Sequence, residues 1–485
     1  MERGVGWISF GDGTFYITLV QIEERFAARG YHRKGIGVNH LAFPAPSVKA
    51  VDDFHVWLVA RGVPVLYGSP LDMGHPDQPN YAVFFEDPDR LKLEYVHRGM
   101  KGRSSGVDPS SWRDEFPVLE RKAYLISASL GPLSRRSRRY LDAYLDAWAS
   151  KGAPDHVWFE DIFPTMRALK NRFASLAGCH PDELAITTNI SIALSTIASC
   201  MDFSKRHKVI LSELDFPTDG HVWLAQRSKG ADVVFLKSPD GLTIPLEEYE
   251  RAIDDDTAIV MVNRVLYRSS ALVDAKEVCR MAREAGAWSI VDDYHGIGIV
   301  PLDLHDLGCD VYTAGVLKWL CGGPGLAFLY ARRDLLPDLE PAVTGWFATR
   351  EPFSFDNQHL EFHPTARRLE HGTPPAPVYP VALGGLEIIS EAGVDAIRER
   401  QGELTDHVIA RADAAGLAVR TPRARSARGG VVNVGVGPEA GKICHALLER
   451  NVCTDFRGDG LRISPHFFNT EADIDRCFQE LRSLL

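Results

Sequence analysis

Two rhythms of apolar and polar residues divide the chain. Over residues 1–98 short alternating runs dominate: FYITLVQI, GVNHLAF, VPVLY, YAVFFED and LKLEYVH. Each has the period-2 pattern that predicts a strand. Between the second and third of them, VKAVDDFHVWLVARG has helical spacing and a glycine stop, and predicts one amphipathic helix. After the linker the pattern changes. ELAITT, HKVILSE, ADVVFLK, TAIVMVN and AWSIVDD are nearly continuous apolar runs, separated by helical stretches such as LEEYERAI and AKEVCRMAREAG. That alternation predicts an α/β architecture, a mostly parallel sheet covered by helices. From about Thr365, long amphipathic helices precede the short strands VVNVGV and LRISP, which predicts a smaller α+β domain.

The segment GMKGRSSGVDPSSWRDEF is rich in Gly, Ser and charge and reads as a linker. The expected organisation is a module over 1–98, a linker over 99–120, a large domain over 121–364 and a small domain over 365–485. At 485 residues, 45% hydrophobic and 25% charged, the chain has the composition of an ordinary globular protein. Its net charge of -11 argues against a nucleic-acid partner. No apolar run reaches the roughly 20 residues that span a bilayer. The start MERGVGWISFGDGTF lacks the charged head and apolar core of a secretion signal. The eight cysteines are scattered without a C-x-x-C pair, which suggests neither a zinc site nor a disulfide framework. A reducing cytoplasm is the expected setting.

The densest chemistry lies in Val291–Gly325, VDDYHGIGIVPLDLHDLGCDVYTAGVLKWLCGGPG. An apolar strand ends in the acid Asp292, His295 follows three residues later, and Lys318 stands in an apolar setting before a glycine-rich turn. A lysine amine can bond to the aldehyde of pyridoxal phosphate (PLP). A buried acid can keep that cofactor's pyridine nitrogen protonated, so that the ring accepts electrons from a substrate carbanion.

Several separated motifs, in order, give the chain from about Ala123 onward a resemblance to class V fold-type I PLP enzymes, and among them to kynureninase. YLISASLGPLS resembles a segment reading NSLG, and the resemblance implies that Ser129 borders the substrate. ITTNISIALST implies phosphate binding by Ile190 and Ser191, at a helix start whose N–H groups favour an anion. FPTD resembles FPSD, with Phe216 stacked on the pyridine ring and Asp219 at the cofactor's polar edge. Cysteine desulfurases of this class usually stack a histidine where Phe216 stands. Tyr267, in VNRVLYRSS, is implied near the phosphate or the reacting centre, with Arg264 and Arg268 unassigned. The pattern D-x-x-[HQ] selects Asp292 over Asp293 for the pyridine nitrogen, places His295 at the ring's 3-oxygen side, and gives Lys318 the aldehyde. TGWFATREPFSFD resembles a GWFGH segment and implies that Trp346 borders the phosphate, with Ala348 and Thr349 in place of Gly-His. ARRLEHGTPP resembles RFE-x-GTP; its Thr373 is implied to reach the phosphate of a partner subunit, hence a homodimer with sites at the subunit interface. DFRGDGLRISPHFFNT implies that Arg462 holds a substrate α-carboxylate, with Arg457 the weaker candidate.

The N-terminal order of strand, helix and three strands resembles one module of the vicinal oxygen chelate (glyoxalase-like) family, with its first half truncated. His40 and Glu94 stand at that family's metal-ligand positions. Gln21, Glu23 and Glu24 are the only further donors nearby, and DPDR departs from the usual DPDG. Two ligands define no metal geometry, so no metal is expected and the module is read as structural, dimer-forming or gating.

The expectation is a PLP-dependent lyase or hydrolase acting on an α-amino acid, by Cβ–Cγ cleavage or β-elimination. An aminotransferase or epimerase of the same fold is the alternative. A metal-dependent enzyme seated in the N-terminal module and a non-catalytic PLP-binding protein are the rivals from other classes. A desulfurase is disfavoured, because Cys321, Cys444 and Cys453 lack the loop that such a nucleophile occupies.

Overall fold

The computed structural model describes residues 7–11, 16–20, 38–45, 48–72, 81–86, 92–97 and 108–485. The chain divides into two compact units, Met1–Ser105 and Gly106–Leu485. In the first, β1 (Trp7–Gly11), β2 (Tyr16–Val20), β3 (Val38–Pro44), β4 (Val65–Asp72), β5 (Tyr81–Glu86) and β6 (Lys92–His97) form one sheet in the order β1-β2-β3-β6-β5-β4. The helix Val48–Ala60 joins β3 to β4, and β3 runs parallel to β6. Leu58 and Val51 of that helix are buried with Val83 of the sheet, as its apolar spacing requires. The buried Glu94 is the register partner of Ala42, two residues beyond His40. Among the described residues no three His, Cys, Asp or Glu side chains gather as a metal-ligating group. Gln21, Glu23, Glu24 and Arg90 lie outside the described residues.

The stretch read as a linker is corrected from Asp108 onward; residues 98–107 lie outside the described ones. WRDEFPVLE carries apolar anchors that the Gly/Ser count hid. Phe116 is fully buried against Phe468, Trp112 packs edge-on to Phe467, and Arg113 pairs with Asp473 at 2.7 Å.

The second unit opens with β7 (Ala123–Tyr124). Its main sheet has seven strands: β8 (Leu184–Thr187), β9 (Lys208–Ser212), β10 (Asp232–Leu236), β11 (Thr257–Asn263), β12 (Trp288–Asp292), β13 (Val311–Gly315) and β14 (Ala327–Ala331). Their order is β10-β9-β11-β12-β13-β14-β8, parallel except where β14 runs antiparallel to both neighbours. Successive residues of β11 alternate between two cores: Val260 and Val262 belong to one, Ile259 and Met261 to the other. Burial on both faces is why this strand reads as one apolar run. The C-terminal helical stretch is two helices, Val378–Ala392 and Val394–Ala414, broken at Gly393 with φ +81°, a backbone region that glycine enters without cost. The small domain adds β15 (Val432–Gly435), β16 (Val452–Cys453), β17 (Asp455–Arg457) and β18 (Gly460–Ile463). β15, β18 and β17 form an antiparallel sheet, and β16 pairs with β7. No described helix is long and apolar enough to cross a membrane.

Candidate active site

The site gathers where the parallel strands end. Asp292 closes β12, and its Oδ1 accepts a 2.7 Å hydrogen bond from the Tyr294 amide. Its neighbour Asp293 is engaged elsewhere: Arg264 donates to it at 2.6 Å and the Tyr312 hydroxyl at 3.0 Å. Strand alternation thus separates the two acids, and Arg264 is spent behind the site. Lys318 is 8% exposed, and its Nζ lies 2.6 Å from His295 Nε2 and 4.1 Å from the centroid of the Tyr294 ring. Gly315 makes room for that ring, since a Cβ there would come within 2.2 Å of Tyr294 Cε2. Gly131, in the segment containing Ser129, lies against the lysine's own backbone: a Cβ would approach the Lys318 carbonyl oxygen to 2.2 Å. Cys321 completes the following turn with φ +51°.

Charge is dear in this pocket. Burial lifts the Asp292 carboxyl to about 6, against the opposing pull of the Tyr294 amide and Lys318. Burial brings the Lys318 amine down to about 7; Asp292 resists this, and Arg462 and Arg457 add to it. His295 is held well below its ordinary value by burial and by Lys318, so it is a neutral imidazole. Beneath Asp292 lie two more buried acids. Asp219 is raised well above the usual carboxylate range by burial and by Asp292, and accepts from Asn263 Nδ2 at 2.7 Å. Asp215 is raised to about 7 by burial, and accepts from the Ser212 amide at 2.7 Å.

Phe216, 38% exposed, caps the helix Pro217–Ala225; it stands edge-on to Tyr267 at 5.3 Å and 5.6 Å from Lys318 Nζ. Ser191, in the first turn of the helix Ile190–Ser199, shares a 2.9 Å hydrogen bond with Thr218. Asn189 caps that helix through the Ile192 amide at 2.9 Å, while the first-turn amides of Ile190 and Ser191 have no carbonyl within the helix to bond.

Arg462 is 2% exposed and closes the opposite end. Its Nε donates to Asp455 Oδ1 at 2.7 Å, Nη1 to the Tyr267 carbonyl at 2.7 Å, and Nη2 both to Ser129 Oγ at 2.6 Å and to Asp455 Oδ2. The Ser129 hydroxyl donates in turn to Asp455. Burial disfavours charge on Asp455, but the hydrogen bonds and charge of Arg462 outweigh it and hold the carboxyl below its ordinary value.

The expected site residues divide into two groups. Lys318, Asp292, His295, Asp219, Phe216, Tyr267, Arg462 and Ser129 converge, with Ile190 and Ser191 alongside through Thr218. Trp346 and Thr373 do not reach Lys318 within the chain. Trp346 lines a cavity of about 760 Å³ in the loop 344–361, with Thr349 and Phe355. Thr373 lines a small one of about 60 Å³ with Thr187 and Thr188. Sequence reasoning missed Thr218, Asn263, Asp215, Tyr294 and Asp455. Asn263 had a visible signal, a polar residue closing an otherwise apolar strand, and Tyr294 sits inside the D-x-x-H motif itself.

The residues present fit PLP. Asp219 Oδ1 and His295 Nδ1 are buried without a hydrogen-bond partner, and buried polar atoms of native sites are normally satisfied. A buried acid, a partly exposed phenylalanine beside the lysine, hydroxyls at a helix start and a lysine of depressed pKa suit that cofactor.

Comparison with known proteins agrees. The family described as Aminotransferase class-V matches residues 124–477. An "Uncharacterized aminotransferase YcbU" from Bacillus subtilis (strain 168) is 32% identical over 378 residues, covering 77% of this chain and 97% of that protein. A kynureninase from Bacillus thuringiensis subsp. konkukian (strain 97-27) is 31% identical over 396 residues, covering 77% and 91%. Among solved structures, the apo cysteine desulfurase from Thermococcus onnurineus NA1 aligns with a TM-score of 0.70 at 17% identity, covering 78% of this chain and 98% of that one. The cystine C–S lyase C-DES in complex with cysteine persulfide aligns with a TM-score of 0.70 at 19% identity, covering 76% and 98%. At those identities the structures speak for the fold alone. With its family match and these relatives, the chain belongs to the aminotransferase class-V family and is a PLP-dependent enzyme.

Proposed function

We propose that this enzyme is a lyase or hydrolase acting on an α-amino acid, by kynureninase-like Cβ–Cγ cleavage or by β-elimination. The observation that carries the reading is the pairing of Lys318 and His295 at 2.6 Å over the buried Asp292, with Arg462 across the site. PLP supplies an electron sink for the charge left at the substrate's Cα. Asp292 would hold the ring nitrogen, Asp219, His295 and Phe216 would line the ring, and Ile190, Ser191 and Thr218 would receive the phosphate. Lys318, an amine held near neutrality by burial, removes the α-proton and returns it later. Neutral His295 shares a proton with Lys318 and steers that amine. Arg462, braced by Ser129 and Asp455, faces the α-carboxylate.

A second reading, an aminotransferase, is supported by the name of the Bacillus subtilis relative. A desulfurase is disfavoured by the cysteines: Cys321 is buried with its thiol pushed up by burial, and Cys444 donates to the Thr454 carbonyl. The separation of Trp346 and Thr373 from Lys318 supports a homodimer in which these loops serve the partner's site. The strand–helix–three-strand order of the first unit supports a glyoxalase-like module with a structural or gating role. The deciding experiment incubates the PLP-loaded protein with a panel of amino acids and identifies products. Cleavage products without an added keto acid support the lyase reading. Turnover that needs a keto-acid acceptor supports the aminotransferase instead.

A further inference from the structure

A guanidinium has five N–H groups, and Arg462 has already donated four of them, to Asp455, Ser129 and Tyr267. One N–H on Nη1 is left, too few for a two-pronged grip on a carboxylate. The commitment is built into the small sheet: Asp455 of β17 is the direct register partner of Arg462 of β18, so their side chains share a face. Arg457 lies two residues further along β17, on that same face, opposite Gly460. Its Nη1 donates to the Phe456 carbonyl at 2.6 Å and stands 3.6 Å from Asp455 Oδ2. Among the described residues its Nε and Nη2 have no partner. Asp455 balances Arg462, which leaves Arg457 in excess at this end, with the exposed Arg268 nearby.

We propose that the substrate's α-carboxylate is received by Arg457 together with the one remaining N–H of Arg462, and that Asp455 is the positioning residue that fixes Arg462 for this shared grip. The proposal rests on the amino-acid reading above. It differs from a site in which Arg462 leaves Asp455 and binds alone, and from one in which Arg457 serves an anionic side chain.

The test titrates the PLP-loaded protein with L-alanine and with ethylamine, the same molecule without its carboxylate, following the cofactor's visible band. Arg457→Gln should raise the apparent Kd for alanine about tenfold while ethylamine changes less than about twofold, the signature of one lost charge-assisted contact. Arg457→Lys keeps the charge without the planar fork, should fall between, and replaces the glutamine variant if that variant fails to fold. Asp455→Asn should weaken alanine, and Asp455→Glu should recover part of the loss. Tighter alanine binding in Asp455→Asn would show that Asp455 competes with substrate rather than positioning Arg462, and overturns the proposal. So does an Arg457→Gln protein that loses affinity for L-aspartate but not for L-alanine. If no amino acid shifts the band of the unsubstituted protein while PLP is bound, the amino-acid reading itself has failed and this inference falls with it.

Discussion

The two ends of the site are built with opposite imbalances. At the strand ends, Asp215, Asp219 and Asp292 crowd together in burial, lifted above their ordinary values. At the small-sheet end, Arg457 and Arg462 share one carboxylate, with the exposed Arg268 nearby. One end is short of a cation and the other short of an anion. A molecule with a protonated ring nitrogen at one end and a carboxylate at the other relieves both at once. That polarity supports the proposed arrangement, with PLP at the acids and an amino acid at the arginines.

The sharpest way to break this comparison is at its centre. Lys318→Ala should cost at least about a thousandfold in turnover, within the roughly 10²–10⁴ expected for a lost acid–base group plus the lost cofactor anchor. Borohydride reduction of the unsubstituted protein followed by peptide mapping should mark Lys318; a mark on another lysine removes it from the role. Next comes the acidic end. Asp292→Asn should keep PLP but lose about 2.7–4 kcal/mol of transition-state stabilisation, the scale of one preorganised electrostatic partner. A cofactor-loaded variant with ordinary turnover would show that Asp292 does not control the ring.

Substrate choice sharpens the other end. Kynurenine should be a poor substrate, turned over well below the roughly 1–10 per second of an ordinary enzyme. Thr349 stands where a histidine is expected and donates its hydroxyl to the Trp346 carbonyl at 2.8 Å, so that hydroxyl is not free for an aromatic ketone. A site that lacks the donor built for that group loses discrimination as well as affinity. Rapid anthranilate release would overturn this.

How much of this was legible in the chain depends on the distance over which each feature is set. Asp292, His295 and Lys318 were readable because a strand end and a glycine turn are local events. Arg462 was readable by resemblance, but its commitment to Asp455 was not: it depends on the register of β17 against β18, which no residue pattern states. The contact of Ser191 with Thr218 joins the starts of two helices 27 residues apart in sequence. Trp346 and Thr373 carried a recognisable motif, yet a motif does not say which subunit it serves. From Asp108 onward the linker reading failed for the opposite reason, since Gly and Ser were weighed above Trp112 and Phe116, although the division between the two units falls within the stretch.

A smaller effect should appear in stability. The buried Asp215 carboxyl titrates at about 7 in the folded chain against an ordinary 3.8. Between those values the folded state holds a proton that the unfolded state has released. The contribution of Asp215 to stability is therefore full below about pH 4 and declines as pH rises toward 7, by roughly 2–4 kcal/mol. In cofactor-free protein, denaturant melts of Asp215→Asn should show a flatter pH profile than the unsubstituted chain over that window. Parallel profiles would mean that the acidic end is less buried than its geometry indicates.

The smallest effect should come from the first unit. His40 and Glu94 lie on adjacent strands, with Glu94 paired in register to Ala42. Two ligands leave a metal weakly held and without defined geometry. The double variant His40→Ala/Glu94→Gln, assayed in chelator-treated buffer, should therefore retain PLP-dependent turnover per folded, cofactor-loaded enzyme within about twofold, since neither side chain is assigned a step. The glutamine keeps the shape of the buried Glu94 side chain, so that loss of fold does not pass for loss of chemistry. Suppose instead that turnover vanishes while fold and cofactor content persist, and that metal restores the chelated, unsubstituted protein. Then the reaction does not run between the acids and the arginines alone, and the first unit supplies part of its chemistry.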